Sequence, residues 1–268
     1  MHSKKLFLWL PWIFHATDLA WWDRPAICHI HGWDFLCKDY PIDSLSLDDF
    51  LEEIIVFLEN SSYEEIIICG ISFGEIVTRE LLDRAPRNLQ DRIKLHISVC
   101  GVSTFHDLSH HKKKTVKLLY KMKYIVWKYF LKHTISILWK IENNGLRYSI
   151  WKHYFWKRNY LAHKQLPQQK AKNIIEAWSQ WFTPSLYERG EIVLFTNTIK
   201  SIHTPTYAIY ASHDPFFMDA QQAAQNILRH CSKETKLICA HPWGHASIVE
   251  LPETYNPILE DILTQTLS

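Results

Sequence analysis

Gly70-Ile71-Ser72-Phe73-Gly74 is the stretch whose residue types and spacing best support chemistry. It follows the apolar run Ile66-Ile67-Ile68-Cys69 and opens a segment with helical spacing. A serine on a sharp strand-to-helix turn needs small residues two before and two after it, because the backbone there is strained and tightly packed. The hydroxyl then projects clear of the strand, and the helix N-terminus offers amide donors and a positive dipole end for a developing oxyanion. With only seven glycines in 268 residues, this pattern arises by chance about once in a hundred such compositions. Ser72 is therefore read as a nucleophile rather than an incidental turn residue.

The elements that must position it can be read on either side. Leu6–Leu10 reads as a buried strand stopped by Pro11, and Ala26–Ile30 as a second short strand ending at His31-Gly32. Ser44–Asn60 carries Phe50, Leu51, Ile54, Ile55 and Leu58 at helical spacing. Glu65–Cys69 is a β-branched run without polar alternation, as expected of a strand covered on both faces. A helix over Ile76–Arg84 and a strand over Ile93–Cys100 follow. From Lys112 to Phe182 the chain is helical, lysine-rich and aromatic, with no strand signal. Strands return at Thr206–Ala211 and Thr235–Ala240, with helices at Gln221–His230 and Pro257–Leu267. The order βαβαβ, helical insertion, βαβα predicts an α/β fold: a mostly parallel sheet with helices on both faces and an inserted helical cap. The expected division is a core of 1–105 and 191–268 with a cap over 106–190.

With the glycine-bounded serine between a strand and a helix, the chain resembles the α/β-hydrolase superfamily, in which serine, acid and histidine follow in that order. The resemblance covers all but the cap. It implies that Asp214, in Ser212-His213-Asp214-Pro215 beyond a strand, is the acid, and that His245, in His241-Pro242-Trp243-Gly244-His245, is the base. His245 would take the Ser72 proton and return it to the leaving group, while Asp214 would hold the imidazole tautomer. Asp219 stands as a substitute acid, and His241 and His213 as substitute bases. The oxyanion would face the backbone amides of Phe73 and of Trp12 or Ile13, since Pro11 has no N–H. Where many relatives carry His-Gly after the first strand, this chain has Leu10-Pro11-Trp12-Ile13-Phe14. Glu75 replaces a common glycine after the elbow, and a structural role in the first helical turn is expected for it. These departures keep open an inactive hydrolase-fold module that binds without catalysing.

The formal net charge of +2 conceals an asymmetry. Between His106 and Lys172 there are 16 basic residues and two acids, Asp107 and Glu142, which leaves −12 on the rest of the chain. Lys114, Lys117, Lys121, Lys128 and Lys132 fall within about 60° of arc on a helix, and apolar residues occupy another sector. Such a face suits an anionic partner. An acidic acyl carrier protein fits first, because its tethered acyl chain must enter a pocket beneath the cap. The plan resembles pimeloyl-[acyl-carrier-protein] methyl ester esterases of biotin synthesis, which implies hydrolysis of a distal methyl ester. An anionic membrane surface is the second candidate and nucleic acid the third. A general carboxylesterase or thioesterase for small acyl substrates needs no carrier.

The six cysteines form no CxxC pair, and Cys69, Cys100 and Cys239 lie in apolar runs where a thiol acts as a small hydrophobe. A reducing, cytoplasmic setting is expected. The apolar start is interrupted by Pro11 and followed by no small-residue cleavage site, which argues against a secretory signal. Among the 16 histidines, His29 and His31 would share one side of a strand, but no convincing metal-ligand set emerges. No GxGxxG or phosphate-loop lysine is present, so neither metal nor nucleotide cofactor is expected.

Overall fold

The structure is a computed structural model that describes residues 4–11, 24–38, 46–110, 113, 114, 117, 192, 193, 199–240, 244, 245 and 252–266. Six strands form one sheet: β1 Lys5–Leu10, β2 Asp34–Cys37, β3 Glu65–Ile71, β4 Ile93–Val99, β5 Thr206–Ala211 and β6 Thr235–Ala240. Their spatial order is β2-β1-β3-β4-β5-β6, and every neighbouring pair runs parallel. The chain steps outward from β1 to β2 and then crosses to the other side for β3. The order therefore reverses between β1 and β3, and the crevice beyond their carboxyl ends is where open α/β sheets bind ligands.

Side-chain alternation explains why β1 and β3 are apolar beyond their first residues. Leu6, Leu8, Leu10, Ile66 and Ile68 pack on one face with α2 (Leu47–Asn60), α3 (Phe73–Arg84) and α5 (Ala220–Leu228). Phe7, Trp9, Ile67, Cys69 and Ile71 point the other way, against α1 (Arg24–Ile30) and α6 (Pro252–Thr266). A short α4, Arg87–Arg92, leads into β4. Both faces are covered, so period-two alternation is lost. The five apolar positions of α2 read from the sequence are all buried, each worth about 1.5–3 kcal/mol of transfer free energy. Ser46 caps α2 by accepting from the Asp49 amide, which starts that helix three residues later than the sequence pattern implied.

One expected strand is a helix. Residues 24–30 form α1, and the neighbouring strand is Asp34–Cys37. Pro25 lies in the first turn of α1. Gly32, at φ 75°, ends the helix, with Gly32 N–H donating to His29 O at 3.0 Å and Trp33 N–H to Cys28 O at 2.8 Å. This left-handed glycine closure satisfies carbonyls that a strand would leave to a neighbour. His29 and His31 consequently lie in a helix and a turn, not on one side of a strand. The C-terminal helix starts at Pro252 and runs through Pro257 rather than beginning there. Most of the expected cap, 106–190, lies outside the described residues, as do Lys121, Lys128 and Lys132.

Candidate active site

β3 ends at Ile71, and Ser72 turns the chain directly into α3 with φ 52° and ψ −109°. A non-glycine residue holds this conformation only where its surroundings dictate it. Ser72 N–H donates to Val99 O at 2.9 Å, and Ser72 O accepts from Val102 N–H at 3.1 Å, so the turn is fastened to the end of β4 on both sides. The flanking glycines are required by space. A Cβ at Gly70 would lie 2.5 Å from Thr78 Oγ1 and 2.6 Å from Gly74 O. A Cβ at Gly74 would collide with Leu10 O and stand 2.6 Å from Pro11 O. The end of β1 is thereby pressed against the elbow.

Two later segments converge on Ser72. Its Oγ lies 2.8 Å from His245 Nε2, and His245 Nδ1 lies 2.6 Å from Asp214 Oδ2. A carboxylate only accepts, so Nδ1 carries the imidazole proton and Nε2 is left to accept from the Ser72 hydroxyl. Asp214 Oδ1 accepts the Phe216 N–H at 2.8 Å. Phe216 also stacks on the imidazole, with ring centroids 4.1 Å apart and planes 17° from parallel, and Phe217 approaches at 5.9 Å. Ser72, Asp214 and His245 are 6%, 8% and 1% exposed, so their mutual hydrogen bonds compete little with water.

The sequence matches no protein-family model, and no curated protein is similar to it at a significant level. Solved structures do match over nearly the whole chain. An epoxide hydrolase from Bacillus megaterium superposes with a TM-score of 0.62 at 16% identity, covering 98% of this chain and 94% of that one. An alpha/beta hydrolase fold protein from Nakamurella multipartita gives 0.63 at 12% identity, covering 100% and 93%. A bromoperoxidase from Bacillus anthracis gives 0.61 at 13%, covering 99% and 93%. The chain has the α/β-hydrolase fold.

Within that fold, Asp219 and His213, two of the substitutes for the acid and base, stand elsewhere. Asp219 caps α5 by accepting from the Gln222 amide, and exposed His213 pairs with Ser212. His241 lies outside the described residues, as do Trp12 and Ile13. Phe73 is buried at the first position of α3, where its amide belongs to the positive end of the helix. Lys114 and Lys117 are exposed, and the Lys117 ammonium lies 5.7 Å from the centre of the Phe105 ring.

Two features escaped the sequence reading. Glu75 is fully buried: its Oε2 lies 2.9 Å from His96 Nε2, and its Oε1 forms an ion pair with Arg79 Nε at 3.4 Å. Arg79 Nη2 in turn donates to Val102 O at 2.7 Å. Burial pulls the Arg79 guanidinium below its ordinary pKa, with the Glu75 charge opposing. This cluster backs the segment that grips Ser72, which gives Glu75 its structural role. The second feature is Cys100. Its Sγ, a carboxylate oxygen of Asp214 and a ring nitrogen of His245 all lie within 4.8 Å of one another, the one such three-donor group among the described residues. Burial, then the Asp214 charge, push its thiol well above the ordinary value. Its apolar context suggested only packing, because no local pattern shows that the loop carrying Asp214 folds over the end of β4.

Proposed function

We propose that this protein is a serine carboxylic-ester hydrolase working through an acyl-enzyme. The observation that carries the reading is the line of hydrogen bonds from Ser72 Oγ through His245 to Asp214. Ser72 attacks the ester carbonyl carbon as its proton passes to His245 Nε2. The tetrahedral oxyanion faces the amides of Phe73 and of Trp12 or Ile13. His245 returns the proton to the departing alcohol, and a water repeats the sequence on the acyl-serine to release the acid. Asp214 holds Nδ1–H and stabilises the imidazolium; the ring of Phe216 limits its tilt.

The substrate we assign is the methyl ester of an acyl chain carried by acyl carrier protein, with pimeloyl as the acyl group and methanol as the leaving group. The excess of positive charge between His106 and Lys172 supports an acidic carrier, as do the exposed Lys114 and Lys117 at the start of that stretch. The test compares carrier-linked and short free methyl esters with purified protein. Hydrolysis of the carrier-linked ester should fall steeply with added salt and on Lys117→Glu, while the free ester should respond little. Equal responses would remove the carrier and leave a general esterase. Strong sedimentation with anionic vesicles would move the basic face to a membrane. A native protein whose Ser72 resists a fluorophosphonate probe would be a binding module.

A further inference from the structure

Ser72 and Cys100 are the two non-glycine residues with positive φ among the described residues, at 52° and 46°. The elbow accounts for Ser72. Cys100 follows β4 and needs a cause of its own, since glycine would adopt the same backbone without strain. Its neighbours supply one. Cys100 N–H donates to Ile209 O at 2.7 Å, while Val99 O and Val102 N–H hold the two sides of Ser72. Residues 99–102 thus tie the nucleophile's turn to β5, the strand that leads into Asp214. At the centre of this tie the Cys100 side chain is 3% exposed, and its Sγ lies within 4.8 Å of both an Asp214 carboxylate oxygen and a His245 ring nitrogen.

We infer that Cys100 is a positioning residue whose thiol donates to Asp214 and keeps that carboxylate aligned with His245. The role rests on the serine-hydrolase reading. Asp214 is acceptor-only and takes His245 Nδ1–H and Phe216 N–H; the Cys100 thiol, within 4.8 Å of the carboxylate, is the third donor this role requires. Burial keeps the thiol protonated, which is the form that donates. Removing it leaves the carboxylate freer to turn and less shared among donors. The first effect slows proton transfer. The second strengthens its hold on imidazolium and moves the acid limb of the pH profile to higher pH.

The test uses the full chain with Cys100→Gly, Cys100→Ser and Cys100→Ala. Three readouts are compared: melting temperature, the rate of fluorophosphonate labelling of Ser72 across pH, and the downfield proton resonance of His245 Nδ1–H. Cys100→Gly relieves the backbone and should melt no lower than the parent. It should nevertheless label about tenfold more slowly, the low end for a hydrogen bond to a charged group, with its acid limb and resonance displaced. Cys100→Ser keeps a donor and should stay within about threefold of the parent. Parental rates, pH profile and resonance in Cys100→Gly would overturn the inference. Should that variant misfold, the pair Cys100→Ala and Cys100→Ser, equal in backbone strain and different only in the donor, decides it. Failure of the parent protein to label would sink the nucleophile reading, and the resonance, which needs no turnover, would still judge the thiol.

Discussion

Asp214→Asn tests the core of the site with almost no change in shape. The Phe216 N–H points at Oδ1 from 2.8 Å and still requires an acceptor, so the amide oxygen of asparagine stays on that side. The NH₂ group then replaces Oδ2, which lies 2.6 Å from His245 Nδ1. Two donors cannot face each other, so Nδ1 must give up its proton and Nε2 must carry it. Nε2 lies 2.8 Å from Ser72 Oγ and, once protonated, can no longer accept the serine proton. The wrong tautomer in such a triad costs on the order of 10⁴-fold in kcat, or about 5.5 kcal/mol of activation free energy. Folding should suffer far less, about 1 kcal/mol, because the hydrogen bonds of residue 214 with Phe216 N–H and His245 Nδ1 can still form. The assay is kcat/KM on a p-nitrophenyl ester alongside thermal melting. Asp219→Asn serves as the control: asparagine caps a helix as well as aspartate does, and Asp219 accepts from the Gln222 amide, not from His245. An Asp214→Asn protein that melts normally and keeps activity within tenfold would refute the assignment of Asp214.

Replacing Glu75 with Gln should destabilise the fold by about 3–5 kcal/mol in urea unfolding, because Arg79 and His96 lose the anion buried between them; a change under 1 kcal/mol would contradict that account. Gly74→Ala should lower both stability, by about 1–3 kcal/mol, and the rate of Ser72 labelling, since its methyl collides with the Leu10 carbonyl and displaces the end of β1 from the elbow. Stability should also fall at alkaline pH through Cys100. Its thiol ionises near 9.0 when unfolded but stays protonated when folded, so the unfolded chain binds fewer protons above that pH. Relative to Cys100→Ser, the parent should lose about 1.4 kcal/mol per pH unit beyond it; parallel stability curves would refute the burial argument.

The sheet and the elbow were legible because their signals are local. β-Branched runs without alternation announce strands covered on both sides, and Gly70 and Gly74 mark a turn in which no Cβ fits. α1 was misread because Ala26-Ile27-Cys28-His29-Ile30 is short and apolar, so its composition resembles a buried strand. The deciding signals were Pro25 at its start and Gly32 at its end, which favour a helix. Asp214 and His245 were reached through resemblance, since neither loop has a pattern that demands its role. Glu75 with His96, and Cys100 with Asp214, depend on contacts between residues 21 and 114 positions apart. Nothing near any of them in the chain announces the partner. Glu75 read as a helix-start carboxylate and Cys100 as one more apolar residue.

The two strained residues are not independent accidents. In the register of β3 and β4, Ile71 faces Val99, so Ser72 and Cys100 are the first residues beyond neighbouring strands of a parallel sheet. Parallel strands present the same end to the same side, and here each leaves the sheet through a left-handed residue. One of these turns raises a hydroxyl and the next aims a thiol at the acid. β5, paired to β4 by Ile97↔Tyr207 and Val99↔Ile209, ends at Ala211, three residues before Asp214. Three consecutive strand ends therefore deliver Ser72, Cys100 and Asp214 to one point, and His245 arrives from beyond the fourth, β6. A one-residue slip of β4 would reverse which face each of its side chains meets. It would also part the Ser72 backbone from Val99 and Val102 and Cys100 from Asp214 together. Site geometry and sheet register are in this sense a single property, and the apolar strands that fix the register hold the hydroxyl against the imidazole.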